Sequence, residues 1–272
     1  MKRNFQRFIT AVLFTVSIIS CGDNTELKVK GKTERQASTE EEKVEVDSAL
    51  QARVNAMLGI GYPTLDDNNA EEFLRDWGKD NPISNVILKT KHGEIEIELF
   101  HDTPIHSWNF LYKIHRQYFT DTEFTRVVPE FVIQGGNSEE ERPQEQRFSI
   151  GNHTLMPEFK PHHIHTRGAL AMSRSYSNNP DKKSSAYDFY IVTGRKIGNV
   201  ELSQIENKNG ITYTAKQKSE YRNIGGAPHL DGEHTVFGRV VRGMEVADRI
   251  AQTPTDDSDW PLERLEIEMV RK

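Results

Sequence analysis

An arginine and a glutamine stand in a stretch whose other residues predict a buried strand. Residues 124–136 read FTRVVPEFVIQGG, and most of them are apolar or β-branched. Arg126 lies near the start of this stretch and Gln134 near its end. Taken alone, such an arginine is more often a surface or ion-paired residue. A guanidinium stays protonated, so the chemistry that this pair could supply is fixed hydrogen bonding rather than proton transfer.

Three histidines in the segment PHHIHTRG form a second group that could do chemistry. On a strand, His163 and His165 would share a face, which raises the possibility of a metal site together with His162. No cysteine and no matching His/Glu pair with ligand spacing lies nearby in the sequence. We therefore expect loop histidines, no bound metal and no cofactor.

The only cysteine, Cys21, follows a short apolar run that three basic residues precede. The run, from Phe8 to Ile19, is short for a bilayer span but suits the core of an export signal. Ile-Ile-Ser before Cys21 resembles the lipobox of bacterial lipoproteins, which implies cleavage after residue 20 and acylation of Cys21. An ordinary secretion signal with a chance cysteine is the alternative. We expect a lipid-anchored protein of the bacterial cell envelope, with its folded domain in the periplasm.

Composition divides the rest of the chain into a tether, a helical extension and a main domain. Residues 21–47 are polar, mixed in charge and free of aromatic residues, which is typical of a flexible tether. Residues 48–80 carry helical signals, with Asn69 as a cap and Gly78 as a stop. Within that extension, Phe73, Leu74 and Trp77 form an apolar stripe that we expect to pack on the main domain, 81–272.

The main domain is predicted to be mainly β. Apolar and acidic residues alternate in EIEIELF, and a helix is predicted from Pro104 with Thr103 as its cap. A second helix is predicted over 244–252, followed by a closing strand. Further strands are predicted at 124–133, 168–173, 188–193 and 234–241. Because the helices do not alternate with the strands in βαβ order, the pattern favours an antiparallel barrel capped by helices.

Four strand motifs and the first helix resemble the cyclophilin family of prolyl isomerases, over about residues 81–272. The motifs are FTRVVPEFVIQGG, GALAMSR, DFYIV and HLDGEHTVFGRV, and they occur in the family's order. Helix one carries the family's spacing from Pro104 to Asn109-Phe110. The resemblance implies a closed eight-stranded antiparallel barrel, filled by its own side chains, with the active site on its outer surface. It also implies that Arg126 and Gln134 are catalytic, and that substrate is bound by Phe131, Met172, Tyr190, Leu230, His234 and His229.

The chemistry implied is isomerisation of the X-Pro bond, whose partial double-bond character sets a barrier of roughly 18–20 kcal/mol. An arginine N–H aimed at the proline nitrogen would bond better to the twisted amide than to the planar one. Arg126 and Phe131 have opposite parity along a strand, so a bend after Pro129 is needed to bring them together.

This sequence departs from the family pattern at several positions. Thr125 stands where a histidine is usual, Asp188 where a glutamine is usual, and Arg174 where an asparagine is frequent. His229 replaces a frequent tryptophan, which puts tight cyclosporin binding in doubt. We expect Asp188 to pair with Arg126 or Arg174. Residues 195–227 form an insertion, predicted as two short helices beside the substrate groove.

Two functions from different classes stay open. The first is an isomerase that assists folding of exported proteins, with proline-containing unfolded or exported polypeptides as partners. The second is a peptide-binding chaperone or adaptor with little isomerase activity. A ligand-carrying barrel is disfavoured because the interior is filled. The formal net charge of −6 and the lack of a basic stripe argue against a nucleic-acid partner. We expect a monomer.

Overall fold

The computed structural model describes residues 50–51 and 54–272. The predicted signal segment, Cys21 and the tether over 21–47 lie outside the described residues, so these stay predictions. Within the described part of the chain, no helix combines the length and the apolar character needed to cross a membrane.

Eight strands close into an antiparallel barrel, as predicted. The barrel strands are β1 (Val86–Thr90), β2 (Gly93–Leu99), β3 (Thr122–Val128), β4 (Val132–Asn137), β6 (Ala169–Met172), β8 (Phe189–Val192), β9 (Val236–Arg242) and β10 (Glu266–Arg271). Their order around the barrel is β1-β10-β3-β4-β8-β6-β9-β2, and every neighbouring pair is antiparallel. Two further short strands, β5 (Thr154–Leu155) and β7 (Ser184–Ser185), form a separate two-stranded sheet.

The alternation in β2 places its apolar residues inside the barrel. Ile95, Ile97 and Leu99 are buried in the main core. Glu94 and Glu98 are not buried, which fits the predicted solvated face. Glu96 is covered instead, because Lys272 and Arg242 from neighbouring strand ends pair with its carboxylate.

The helices lie before the first strand and in the segments that connect the barrel strands. They are α1 (Ala70–Asp80), α2 (Pro104–His115), α3 (Glu141–Ile150), α4 (Asn199–Asn209), α5 (Ala215–Asn223) and α6 (Met244–Ala251). Helices α2 and α6 match the two predicted helices of the main domain, and α4 and α5 match the two predicted in the insertion. Helix α3 was missed, because its sequence, ERPQEQRFSI, has no clear apolar period.

The predicted apolar stripe of α1 packs on α2. Leu74 is fully buried, and the rings of Phe73 and Trp77 lie 5.0 and 5.5 Å from the ring of Tyr112. The prediction of Gly78 as a helix stop was wrong, because α1 continues to Asp80. A Cβ on Gly78 would lie 2.2 Å from the Trp108 indole, so glycine is required for close helix packing.

Asn69 and Thr103 occupy the N-cap positions of α1 and α2, as predicted. Neither side chain, however, makes a capping hydrogen bond. At α2, the Glu158 carboxylate accepts hydrogen bonds from the backbone N–H groups of Ile105 and His106, at 3.2 and 2.9 Å. The carboxylate supplies acceptors for these backbone N–H groups, and its negative charge stabilises the positive end of the helix dipole.

Candidate active site on the outer face of the barrel

The stretch predicted as one strand over 124–133 is a hairpin. Pro129 and Glu130 occupy the turn, where the Phe131 N–H donates to the Val128 carbonyl at 3.1 Å. Glu130 has φ +56°, a left-handed conformation that is uncommon outside glycine. The single strand was therefore the wrong prediction, while the bend required after Pro129 is present.

The hairpin brings the two candidate catalytic residues together. Arg126 on β3 lies directly opposite Gln134 on β4, so their side chains share a face of the sheet. The register shifts between Phe124 and Arg126. The Arg126 guanidinium carbon lies 5.9 Å from the centroid of the Phe131 ring, and the Arg126 side chain is 42% exposed.

Asp259 is the carboxylate that pairs with Arg126. Its Oδ2 accepts from Arg126 Nε at 3.2 Å and lies 3.1 Å from Nη2. The expected pairing with Asp188 was wrong, because the Asp188 carboxylate accepts from the Ser185 hydroxyl at 2.7 Å. Arg174 pairs with Glu233 instead. Asp259 is 133 residues from Arg126 in sequence, and no local pattern indicated the contact.

An apolar cluster separate from the barrel core lies beside Arg126. Tyr190 and Leu230 belong to it and are buried, while Phe131 packs on it and is half-buried. Strand alternation produces the second cluster, since Leu170 faces the main core while Ala169 and Ala171 face this one. The remaining members are Val132, Val192, Ala227 and Val236, with Phe100 packed at the margin.

Met172 does not line this cluster, contrary to the expectation. Its side chain is fully buried among the main-core residues, on the same parity as Leu170. Val132 lies in the outer cluster next to Phe131. The period of two in β6 could have separated Met172 from the outward-facing Ala171. Met172 acts here through its backbone carbonyl, which contacts His234.

His234 is a buried, neutral histidine beside Tyr190. Its Nδ1 lies 3.2 Å from the Met172 carbonyl oxygen, which can only accept, so Nδ1 carries the proton. Nε2 then accepts from the Tyr176 hydroxyl at 2.8 Å. Burial, together with the nearby His165, lowers the pKa of His234 to about 4. His234 therefore contributes shape and hydrogen bonding near neutral pH, without a charge.

His229 forms one side of the candidate pocket. Its ring is exposed and lies 5.2 Å from the Phe131 ring, with the planes inclined by 31°. The short helical turn Pro228–Leu230 carries both His229 and Leu230. Asn209, at the end of α4, donates to the His229 carbonyl at 3.3 Å, so the insertion does lie beside the predicted groove.

A buried polar network lies behind Tyr190. The Tyr190 hydroxyl is 3.0 Å from His165 Nε2, and His165 Nδ1 is 2.7 Å from Asp231 Oδ1. Asp231 Oδ2 accepts from the hydroxyls of Tyr213 and Tyr221, at 2.7 and 2.5 Å. Both of these tyrosines belong to the insertion. The carboxylate can only accept, so His165 Nδ1 donates to Asp231, and Nε2 is left to hydrogen-bond with the Tyr190 hydroxyl.

Burial raises the pKa of Tyr190 well above its ordinary value. The hydroxyl therefore stays protonated and serves as a donor in the network. None of these contacts was predicted, because His165 had been grouped with its neighbours in sequence, His162 and His163. In the structure His165 turns away from His162 and His163, and it is the one of the three that reaches the network.

A family model matches most of the globular part. The model for cyclophilin type peptidyl-prolyl cis-trans isomerase/CLD covers residues 85–272. The chain belongs to this family. The match contains the hairpin of Arg126 and Gln134, the outer cluster and the insertion.

Several proteins resemble this cyclophilin in sequence. A "putative bifunctional phosphatase/peptidyl-prolyl cis-trans isomerase" of Streptococcus pyogenes is 34% identical over 68% of this chain and 38% of its own length. A "peptidyl-prolyl cis-trans isomerase" of Acinetobacter baylyi is 30% identical over 62% of this chain and 73% of its own length. The chain thus spans little more than a third of the Streptococcus relative.

The cyclophilin fold is also found in a solved structure. The crystal structure of a Cryptosporidium parvum cyclophilin type isomerase aligns with a TM-score of 0.50 and 22% identity. The alignment covers 70% of this chain and 97% of that one. It supports the barrel architecture.

Proposed function

We propose that this cyclophilin catalyses cis–trans isomerisation of X-Pro bonds, and that Arg126 is the hydrogen-bond donor that lowers the barrier. One observation carries the proposal: a guanidinium lies across the sheet from an amide and beside an aromatic ring, at an apolar cluster separate from the core. That combination offers a proline ring a dry surface and offers its nitrogen a permanent donor.

The donor has capacity left for a substrate. Among the described residues, Asp259 takes Nε and Nη2 of Arg126, which leaves Nη1 for the substrate. Rotation about the amide removes conjugation and makes the proline nitrogen a better acceptor. A donor placed there stabilises the twisted state more than the planar one, which is the requirement for catalysis.

The neighbouring residues would hold the peptide while one side of the bond turns. Phe131, Leu230 and Tyr190 supply the surface for the proline ring. Gln134 can donate its amide hydrogens to a substrate carbonyl. Because the apolar cluster excludes water locally, the arginine hydrogen bond gains strength relative to the same bond in solvent.

The test is two-dimensional NMR exchange between cis and trans forms of a proline tetrapeptide, with and without the protein. Catalysed exchange should be nearly independent of pH between about 6 and 9, because the mechanism needs no titrating group. As pH falls through about 4, His234 gains a proton and a positive charge enters the pocket wall, so catalysis should weaken. A steep bell-shaped profile that survives His229→Gln and His234→Gln would contradict the proposal.

A peptide-binding chaperone or adaptor is the second candidate. The observation that favours it is the Arg126–Asp259 pair, which occupies two guanidinium donors in the free protein. The pair is half exposed, and such pairs contribute only about 0–1 kcal/mol, so a substrate can compete for the arginine. Peptide binding without any increase in exchange would favour the chaperone.

We further propose that the protein is anchored by a lipid on Cys21 and assists exported polypeptides. The support is the apolar run that ends in Ile-Ile-Ser-Cys. Cys21→Ala should move the protein from the membrane fraction to the soluble fraction after export. Intact mass of the native protein should show acylation and loss of residues 1–20. An unmodified thiol in the native protein would contradict the anchor and leave the isomerase proposal standing.

A further inference from the structure

Two histidine side chains meet the same carboxylate on the surface. His163 Nε2 lies 2.7 Å from Asp102 Oδ1, and His162 Nε2 lies 2.8 Å from Asp102 Oδ2. We propose that Asp102, His162 and His163 form a binding site for a divalent transition-metal ion such as Zn²⁺.

The chemistry of the three donors suits such an ion. Imidazole nitrogen is a preferred ligand of zinc, nickel and copper, and a carboxylate adds negative charge. The three ligand atoms all lie within 4.8 Å of one another. Tetrahedral zinc with bonds of about 2.0–2.1 Å separates neighbouring ligands by about 3.3 Å. Coordination therefore requires the two N–O contacts to lengthen by about 0.5 Å and the widest ligand pair to close by up to about 1.5 Å. Rotation of the exposed His162 and Asp102 side chains can supply these movements.

The protons balance without any other reactant. With Asp102 ionised, the N–H at each Nε2 donates a hydrogen bond to one carboxylate oxygen. On binding, that proton moves to Nδ1 of the same ring or leaves to solvent, and the Nε2 lone pair coordinates the ion. The carboxylate then contacts the ion through one or both oxygens, and water fills the remaining positions.

The surrounding structure holds the ligands in place. The His163 ring stacks on Phe100 with centroids 4.0 Å apart and planes inclined by 15°. The backbone N–H of His163 donates to the Lys160 carbonyl at 3.0 Å. Gln217, in the capping box of α5, donates to the Pro161 carbonyl at 2.7 Å. Two of the three ligands thus lie on a turn that the insertion fixes from outside.

The sequence-based expectation of no metal rested on His163 and His165 as the pair and on the lack of a third ligand nearby. The structure changes both premises. His165 turns to Asp231, while His162 takes its place and Asp102 arrives from 60 residues away. An ion here would join the segment before α2 to the 160–165 turn.

The test is calorimetric titration of the full chain, without a histidine tag, with Zn²⁺ and in parallel with Ni²⁺. We expect one ion bound per chain at this site and a rise in melting temperature, because the folded state brings Asp102 to the two histidines and so binds the ion more tightly than the unfolded chain does. His162→Ala, which removes a well-exposed ligand, should weaken binding by about tenfold or more. Asp102→Asn should have an effect of the same size.

His101→Ala is the matched control, since His101 is exposed and precedes Asp102 directly. Cys21 is present in every variant, so any binding at that thiol cancels in the comparison. Each variant must keep the wild-type melting temperature in EDTA. Equal Zn²⁺ affinity and stoichiometry in wild type, His162→Ala and Asp102→Asn would overturn the proposal. So would a loss in His101→Ala as large as in His162→Ala.

Discussion

Arg126→Ala should slow catalysed cis–trans exchange of a proline tetrapeptide by about 10²-fold, the loss typical for removing one transition-state hydrogen-bond donor. Peptide affinity should fall much less, because Phe131, Tyr190 and Leu230 still supply the apolar surface. The decrease should therefore appear in kcat rather than in KM. Exchange rates at several peptide concentrations separate the two quantities.

Two further arginine variants sharpen this result. Arg126→Lys should restore only part of the rate, because a flexible ammonium lacks the planar fork that lets Asp259 and a substrate share one side chain. Arg75→Ala is the matched control, since Arg75 is an exposed arginine paired with a carboxylate on α1. Near-full activity of a folded Arg126→Ala protein would exclude the arginine mechanism.

Asp259→Asn tests whether the ion pair assists or restrains Arg126. Asp259 has φ +63°, and asparagine tolerates this left-handed conformation better than alanine. If the carboxylate only holds the guanidinium in place, the rate should fall by less than in Arg126→Ala. If it competes with the substrate, peptide affinity should rise.

Asp231→Asn should lower the free energy of unfolding by about 3 kcal/mol, because buried donors lose their acceptor. The Asp231 carboxylate accepts from the backbone N–H and the ring Nδ1 of His165, and from the hydroxyls of Tyr213 and Tyr221. An asparagine amide keeps the shape but presents an NH₂ group to one pair of these donors. Urea unfolding followed by far-UV circular dichroism measures the change.

Glu201→Gln is the control for Asp231→Asn, because Glu201 is an insertion carboxylate in an exposed pair with Arg195. Its loss should cost about 0–1 kcal/mol. Tyr213→Phe and Tyr221→Phe should lie between the two, since each removes a single hydroxyl. Equal stability of Asp231→Asn and Glu201→Gln would show that the network contributes no more than a surface pair.

The network also changes how the insertion should be studied. Replacing residues 195–227 by a short loop would remove Tyr213 and Tyr221 and strip two hydrogen bonds from a buried carboxylate. Any loss of activity would then mix substrate recognition with stability. Single tyrosine-to-phenylalanine changes keep the helices and separate the two effects.

Local patterns in the sequence predicted an antiparallel barrel capped by helices, and the family resemblance implied that Arg126 lies on its outer face. Strand alternation and a proline at a helix start involve only neighbouring residues, so they can be recognised without knowledge of the fold. The bend after Pro129 followed from the opposite parity of Arg126 and Phe131, once the resemblance placed both at one site. The insertion was predicted as two short helices, and the structure shows a capping box of Thr214 with Gln217 at the start of the second.

Only the tertiary structure determined the partners of the polar groups. Asp259 reaches Arg126 across 133 residues, Asp231 reaches His165 across 66, and Asp102 reaches His162 across 60. Such pairs form where loops close over the barrel, and a loop contact leaves no periodic trace in either segment. The sequence shows that a buried charged or polar group requires a partner, but the identity of that partner depends on how the whole chain folds.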